Sequence, residues 1–180
     1  MRIYPLLDFL DNDKKEQSIQ RLINEFDCPK NLDVERFLKN KAIDFERTHN
    51  ARTYLIASEN GELLAYFSLS FKDVNIDNDK LSKSVVKKLD GFNKNAKTIR
   101  AFLIGQIGKN ANVENNPIIL QDIFDRIFEI LLSARQIIGG RAVILECGPI
   151  DKLLDLYECY DFKQLAVVND DEMLTLYRVL

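Results

Sequence analysis

Residues 101–162 read AFLIGQIGKN, ANVENNPIIL, QDIFDRIFEI, LLSARQIIGG, RAVILECGPI, DKLLDLYECY and DF. The apolar run from about Ile99 to Ile107 predicts a buried strand, with Gly105 and Gly108 at its end, where glycine marks a bulge or a close backbone approach. A polar loop follows. A helix is then expected from Pro117 to about Ile138, because Leu120, Ile123, Phe124, Ile127, Leu131, Ala134 and Ile138 recur at helical spacing. Ile119, Phe128, Ile130 and Leu132 widen that stripe, so the helix is expected to pack on a sheet. Asn116 suits its cap and Pro117 its first turn, while Gly139 and Gly140 suit its end. Arg141–Cys147 has the composition of a second buried strand. Pro149 opens a further helix, from Ile150 to about Tyr160. Strand, loop, helix, strand, helix is a unit that can hold a phosphorylated ligand against a sheet edge.

On the N-terminal side, Ile3–Leu10 reads as an edge strand interrupted by Pro5. Asp13 is placed to cap a helix bearing Ile19, Leu22, Ile23 and Phe26. A second helix is expected from about Asp33, with Val34, Phe37, Leu38, Ala42 and Phe45 on one face. From Ala51 the period changes to that of strands. ARTYLIAS and ELLAYFSLSFK are separated by Glu59-Asn60-Gly61, a strong hairpin signal. Residues 73–97 form a polar excursion, helix-like only around Leu81–Leu89 and too poor in apolar residues to bury a core alone. At the C-terminus, Phe162–Val168 and Met173–Val179 read as a hairpin joined by Asn169-Asp170-Asp171. The string is that of an α/β fold with a mixed sheet. With 180 residues and no internal repeat, one domain spanning 1–180 is expected.

Composition narrows the function classes. Hydrophobic residues make up 46% and charged residues 29%, which excludes a largely disordered chain. The net charge of -3 supplies no global basic field for nucleic acid or acidic lipid. No stretch approaches the ~20 apolar residues of a membrane helix, and the N-terminus lacks the pattern of a cleaved leader. Cys28, Cys147 and Cys159 are odd in number and widely spaced, the pattern of reduced thiols in a cytoplasmic protein. One histidine, His49, and no paired Cys/His spacing argue against a metal centre.

The order of elements, with LIGQIGKN (103–110), GGRAVILEC (139–147) and LYECYDF (156–162), resembles the GNAT superfamily of acyl-CoA N-acyltransferases. FLKNKAIDFE (37–46) extends the likeness to its bacterial toxin–antitoxin branch. The final segment carries most weight. Where the family often has FYxxxGF, Tyr157 and Phe162 match, whereas Leu156 stands for the aromatic and Asp161 for the glycine. The resemblance implies a mostly antiparallel mixed sheet with helices on both faces, and acetyl-CoA as co-substrate. It implies that strand backbone from Phe102, Leu103, Ile104 and Gly105 receives the pantetheine arm and the thioester oxygen. Tyr157 would protonate the departing thiolate, since a phenol near pKa 10 stays protonated at neutral pH. On spacing alone, Tyr157 reads instead as a core-edge aromatic with its hydroxyl satisfied locally.

The same resemblance calls for a glycine-rich pyrophosphate loop before the long helix. This chain departs from it: Lys109, Asn110, Ala111, Asn112, Val113, Glu114, Asn115 and Asn116 contain no glycine. Asparagine tolerates left-handed backbone, so Asn115 and Asn116 with Lys109 are the candidate phosphate contacts. Against them, an asparagine cap competes for the same amides, and Glu114 is negative. Glu146 is the candidate general base, with a local structural bond as the other reading. Ser68 and Ser70 are candidates for the acceptor side. Cys147 lacks a histidine partner and reads as a buried thiol. The acceptor is a primary amine of a small molecule, a protein or aminoacyl-tRNA. A basic surface of Arg47, Arg52, Lys72, Lys83, Lys87, Lys88 and Arg100 would serve tRNA, but the acidic total disfavours it. An antitoxin and a second copy of the chain are further expected partners. Two functions follow: an N-acetyltransferase, or a GNAT-fold binding or regulatory module with a degenerate phosphate loop.

Overall fold

The computed structural model describes residues 1–168 and 172–180. Its strands are β1 (Arg2–Pro5), β2 (Arg52–Ala57), β3 (Leu63–Asn75), β4 (Thr98–Lys109), β5 (Ala142–Cys147), β6 (Lys163–Gln164) and β7 (Leu174–Val179). Its helices are α1 (Asp13–Asn24), α2 (Leu32–Asn40), α3 (Ala42–Arg47), α4 (Lys83–Asp90), α5 (Leu120–Ile138) and α6 (Asp151–Glu158), with a 3-10 turn at Leu6–Phe9. The strands lie in the order β1-β2-β3-β4-β5-β7-β6. β4 and β5 run parallel, whereas β1–β2, β2–β3, β5–β7 and β6–β7 are antiparallel. The chain therefore has the mixed, mostly antiparallel α/β sheet expected.

Two compact units make up the fold: Met1–Ser70 with Gly105–Glu129, and Phe71–Ile104 with Ile130–Leu180. Strands β3 and β4 and helix α5 pass through both. In the first unit, Asn12 caps α1 by accepting from the Lys14 and Lys15 amides, and Asn31 caps α2 by accepting from Val34. Asn12 rather than Asp13 caps α1, and α2 starts within one residue of the expected Asp33. The single helix expected after residue 33 is broken at Lys41 into α2 and α3. Their apolar faces close over Leu6, Ile23, Phe26, Leu38, Leu55 and Tyr66. The Tyr66 hydroxyl donates to the Val34 carbonyl at 2.5 Å. Each aliphatic side chain of this size withdrawn from water contributes about 1.5–3 kcal/mol.

In the second unit, α4 lays Val86 and Leu89 over Val74, Ile99, Ala142 and Ile144. The polar excursion thus joins the core through one helix face, which its low apolar content concealed. The C-terminal segments are shorter strands than expected. β6 has two residues, and the chain beyond it bridges back through Val167 to Ile76. The expected Asn169-Asp170-Asp171 turn lies outside the described residues. No described helix is long and apolar enough to cross a membrane.

Candidate active site

The second unit holds Tyr157, Glu146 and the backbone of Phe102–Ile104. Tyr157 sits in the last turn of α6. Beyond it Asp161 takes a left-handed conformation, φ 63°. The Asp161 amide donates to the Glu158 carbonyl at 2.9 Å and the Phe162 amide to the Tyr157 carbonyl at 3.2 Å. This is a left-handed helix stop, in which glycine is the usual residue and aspartate is tolerated. The reversal brings the buried Phe162 edge-on to Tyr157, with ring centroids 6.2 Å apart. The five-residue spacing of the two aromatics therefore has a local cause. Arg178 on β7 holds the cap, donating to the Tyr160 carbonyl at 3.0 Å. Burial, and secondarily the Cys147 thiol nearby, pushes the Tyr157 hydroxyl above the ordinary phenol range. Its proton stays in place at neutral pH.

Glu146 lies at the C-terminal end of β5, where Lys72 of β3 donates to its Oε1 at 2.6 Å. The local bond expected of Glu146 is present, with a lysine as partner. Cys147 is buried, and burial raises its thiol, which disfavours thiolate chemistry. Ala101–Ile104 pair in parallel register with Ala142–Leu145. Phe102 is buried against Phe71, ring centroids 5.1 Å apart.

The first unit holds Gly105, Lys109, Asn115 and Asn116. A Cβ on Gly105 would lie 3.1 Å from the hydroxyl of Ser68, which is buried. At Gly108 it would lie 2.7 Å from Val34 and 2.8 Å from Tyr66, so the backbone passes against the core there. The loop that follows is tied down by its own asparagines. Asn110 is buried; its Oδ1 accepts from the Asp27 and Asn112 amides, and its Nδ2 donates to the Leu63 carbonyl. Asn116 Nδ2 donates to the Leu64 and Asn110 carbonyls, and Asn116 Oδ1 accepts from the Ile118 amide. Lys109 folds back, its Nζ donating to the Asn116 and Ile118 carbonyls at 3.0 and 2.7 Å. Asn115 supplies a left-handed residue, φ 52°.

Helix α5 begins at Leu120 rather than Pro117, and Asn116 is a loop staple rather than its cap. Asp122 reaches back to accept the Ile119 amide at 2.9 Å. Sequence reasoning passed over Asp122, although an acid three residues after a cap position is half of a capping box. The stronger Asn-Pro signal upstream masked it. A carboxylate of the protein thus occupies an amide at the helix start, where anions are otherwise attracted.

The expected basic surface is largely neutralised. Arg47 pairs with Glu16 at 2.7 Å, and Arg52 with the fully buried Glu46 at 2.8 Å. Lys72 serves Glu146, and Arg100 serves Asp73 at 3.0 Å. Lys83, Lys87 and Lys88 lie on α4, where the latter two face the helix's negative end.

No family model matches the chain, and no curated protein matches it in sequence. Solved structures do match. AtaT complexed with acetyl-methionyl-tRNAfMet aligns at 20% identity, covering 99% of this chain and 94% of that one, with a TM-score of 0.69. A tyrosine-to-phenylalanine mutant of KacT aligns at 18% over the same shares, also at 0.69. AtaTR bound with acetyl-CoA aligns at 17%, covering 99% and 92%, at 0.63. Over nearly its whole length, this chain shares the fold of AtaT and of KacT.

Proposed function

We propose that this protein is an N-acetyltransferase that moves the acetyl group of acetyl-CoA to a primary amine. The observation that carries the reading is Tyr157. It is a desolvated, protonated phenol on the helix after β5, in a fold shared with an acetyl-CoA complex. In the reaction the amine nitrogen attacks the thioester carbonyl and the C–N bond forms. The tetrahedral oxyanion collapses, the C–S bond breaks, and the thiolate takes the Tyr157 proton. The ammonium proton passes to a base, for which Glu146 is the candidate, with Lys72 holding one of its oxygens. Backbone at Phe102, Leu103, Ile104 and Gly105 is assigned to the thioester and pantetheine. Phe102–Ile104 are already paired with β5, so the amides offered there begin at Gly105.

The pyrophosphate contact falls to Lys109, Asn115 and Asn116. This loop must compete with its own side chains, because Asn116 and Asp122 already take the Ile118 and Ile119 amides. That observation favours a second reading, a GNAT-fold binding module in which acetyl-CoA is held weakly. The acceptor is a small amine, a protein amine or aminoacyl-tRNA. The AtaT complex with acetyl-methionyl-tRNAfMet motivates testing the last, and the AtaT mutant bound to the C-terminus of AtaR motivates a search for an antitoxin.

Titration calorimetry with acetyl-CoA, paired with a thermal melt, tests the proposal. Saturable binding is expected, with stabilisation of about 2.7 kcal/mol at 100 times the dissociation constant. CoA thiol should be released when an active amine is added. Absence of both a heat and a melting shift at millimolar acetyl-CoA removes the enzyme reading and the weak-binding reading together. Binding without thiol release across amine classes selects the binding module.

A further inference from the structure

Beside the residues assigned to acetyl transfer, of which Phe102 and Lys72 also line one wall, the second unit carries a further concavity. Two clefts, of about 460 and 490 Å³, share Arg100, Gly139 and Gly140 in their walls. One adds Phe71 and Phe102, the other Arg135 and Arg141. Each volume is of the size that encloses a small molecule.

The walls differ in chemistry. Phe71 is 56% exposed although it is a large aromatic; it leans on Phe102, which is buried. Phe102 in turn lies under Gly140, where a Cβ would come within 2.6 Å of its ring. Gly140 also has φ 103°, so both sterics and backbone geometry hold that wall flush with the ring. Ile138 beside it is 61% exposed. The result is a fixed apolar shelf. The other cleft presents three arginines against one acid, Asp90, in a chain whose net charge is -3. Arg100 is shared with Asp73 of the first cleft through two contacts of 3.0 and 3.3 Å. Arg141 is braced by the α4 C-terminus, donating to the Lys88 carbonyl at 3.3 Å and lying against Gly91. Arginines at the end of α5 also complement its dipole, but that needs neither an exposed aromatic nor an arginine on β4.

We infer that the paired clefts are a second ligand site, for a nucleoside phosphate whose base lies on Phe71 and whose phosphates are taken by Arg100, Arg135 and Arg141. Guanidinium groups match phosphate oxygens in planar, two-point fashion, and an aromatic face accepts any nucleobase. An acidic peptide would use the arginines and leave the shelf unexplained.

The test is calorimetric titration of the full-length protein with ADP, repeated for Arg135→Glu, Arg100→Glu and Phe71→Ala. Arg135 is on the exposed side of α5, so Arg135→Glu is expected to melt like the parent. Saturable ADP binding is expected, weakened about tenfold or more by either charge reversal and several-fold by Phe71→Ala. Arg135→Glu should leave thiol release from acetyl-CoA unchanged, which separates this site from the acetyl-transfer reading. No saturable heat up to millimolar ADP overturns the inference. So does ADP binding indifferent to Arg135→Glu and Arg100→Glu, or a ten-residue polyglutamate peptide or a short single-stranded RNA binding where ADP does not.

Discussion

Two chain reversals in this molecule have opposite chemistry. The loop 109–119 in the first unit uses its own side chains to satisfy backbone groups: Asn110 and Asn116 bond to the Leu63 and Leu64 carbonyls, Lys109 to the Ile118 carbonyl and Asp122 to the Ile119 amide. The turn 157–162 in the second unit ends a helix with two backbone bonds and one arginine brace. It presents a phenol whose proton is made harder to remove by burial. The first reversal is held by four of its own side chains; the second is held by two backbone bonds and an arginine from β7.

The largest effect should separate the two. Tyr157→Phe is expected to lower kcat about 100-fold or more, the scale of a lost general acid, with acetyl-CoA affinity unchanged by calorimetry. A parallel loss of affinity would make Tyr157 structural instead. The pH profile supplies a second check. Tyr54, Tyr66, Tyr157 and Tyr177 are all raised by burial. The stability they contribute is therefore complete below about pH 10, the unfolded phenol value, and is lost as pH rises through their higher folded values. Titration at 295 nm should show these four ionising late, with unfolding, and chemical stability falling from about pH 10 upward.

Next in size is Asn110→Ala. It leaves the Asp27 and Asn112 amides and the Leu63 carbonyl without this partner. A cost of about 2–3 kcal/mol in urea unfolding is expected, with no change in the Tyr157 environment. A cost below about 0.5 kcal/mol would mean that water replaces the asparagine, and that the loop is less self-sufficient than its bonds suggest. Asp122→Ala should act in the other direction on function. Releasing the Ile119 amide and removing a negative charge at the α5 start should strengthen acetyl-CoA binding a few-fold, the ~0.3–1 kcal/mol of a charge at a helix end. Weaker binding would show that Asp122 organises the site rather than obstructing it. The smallest effect is Asp161→Gly. At φ 63°, glycine is expected to add a few tenths to about 1 kcal/mol, read as a small rise in Tm. A fall would assign the conformation to the ion pair of Asp161 with Arg178 at 3.7 Å instead.

Much of the fold was legible because it rests on period and local chemistry. The hairpin at Gly61, the strand 142–147, the α5 stripe around Ile123 and Ile127, and the aromatic pair Tyr157 and Phe162 are patterns within a few residues of each other. Less legible was whatever depends on a distant partner. Lys72 and Glu146 are 74 residues apart, and nothing local marks them as a pair. Arg52 reads as surface charge until Glu46 is found buried beneath it. The excursion 73–97 looks too polar for a core, because only Val86 and Leu89 of α4 are needed to seal one supplied by other strands.

The sequence by itself determined the α/β alternation and the glycine-free stretch 109–116, since these follow from side-chain spacing and composition. Only the tertiary structure decided what replaces the glycine. Buried amides and carbonyls must find partners, and which asparagine or aspartate reaches them depends on the segment 25–28 and the start of β3 at 63–64 being brought alongside. It also decided that Arg100, Arg135 and Arg141 line one cleft, because like charges are drawn together only when the fold carries their backbones there.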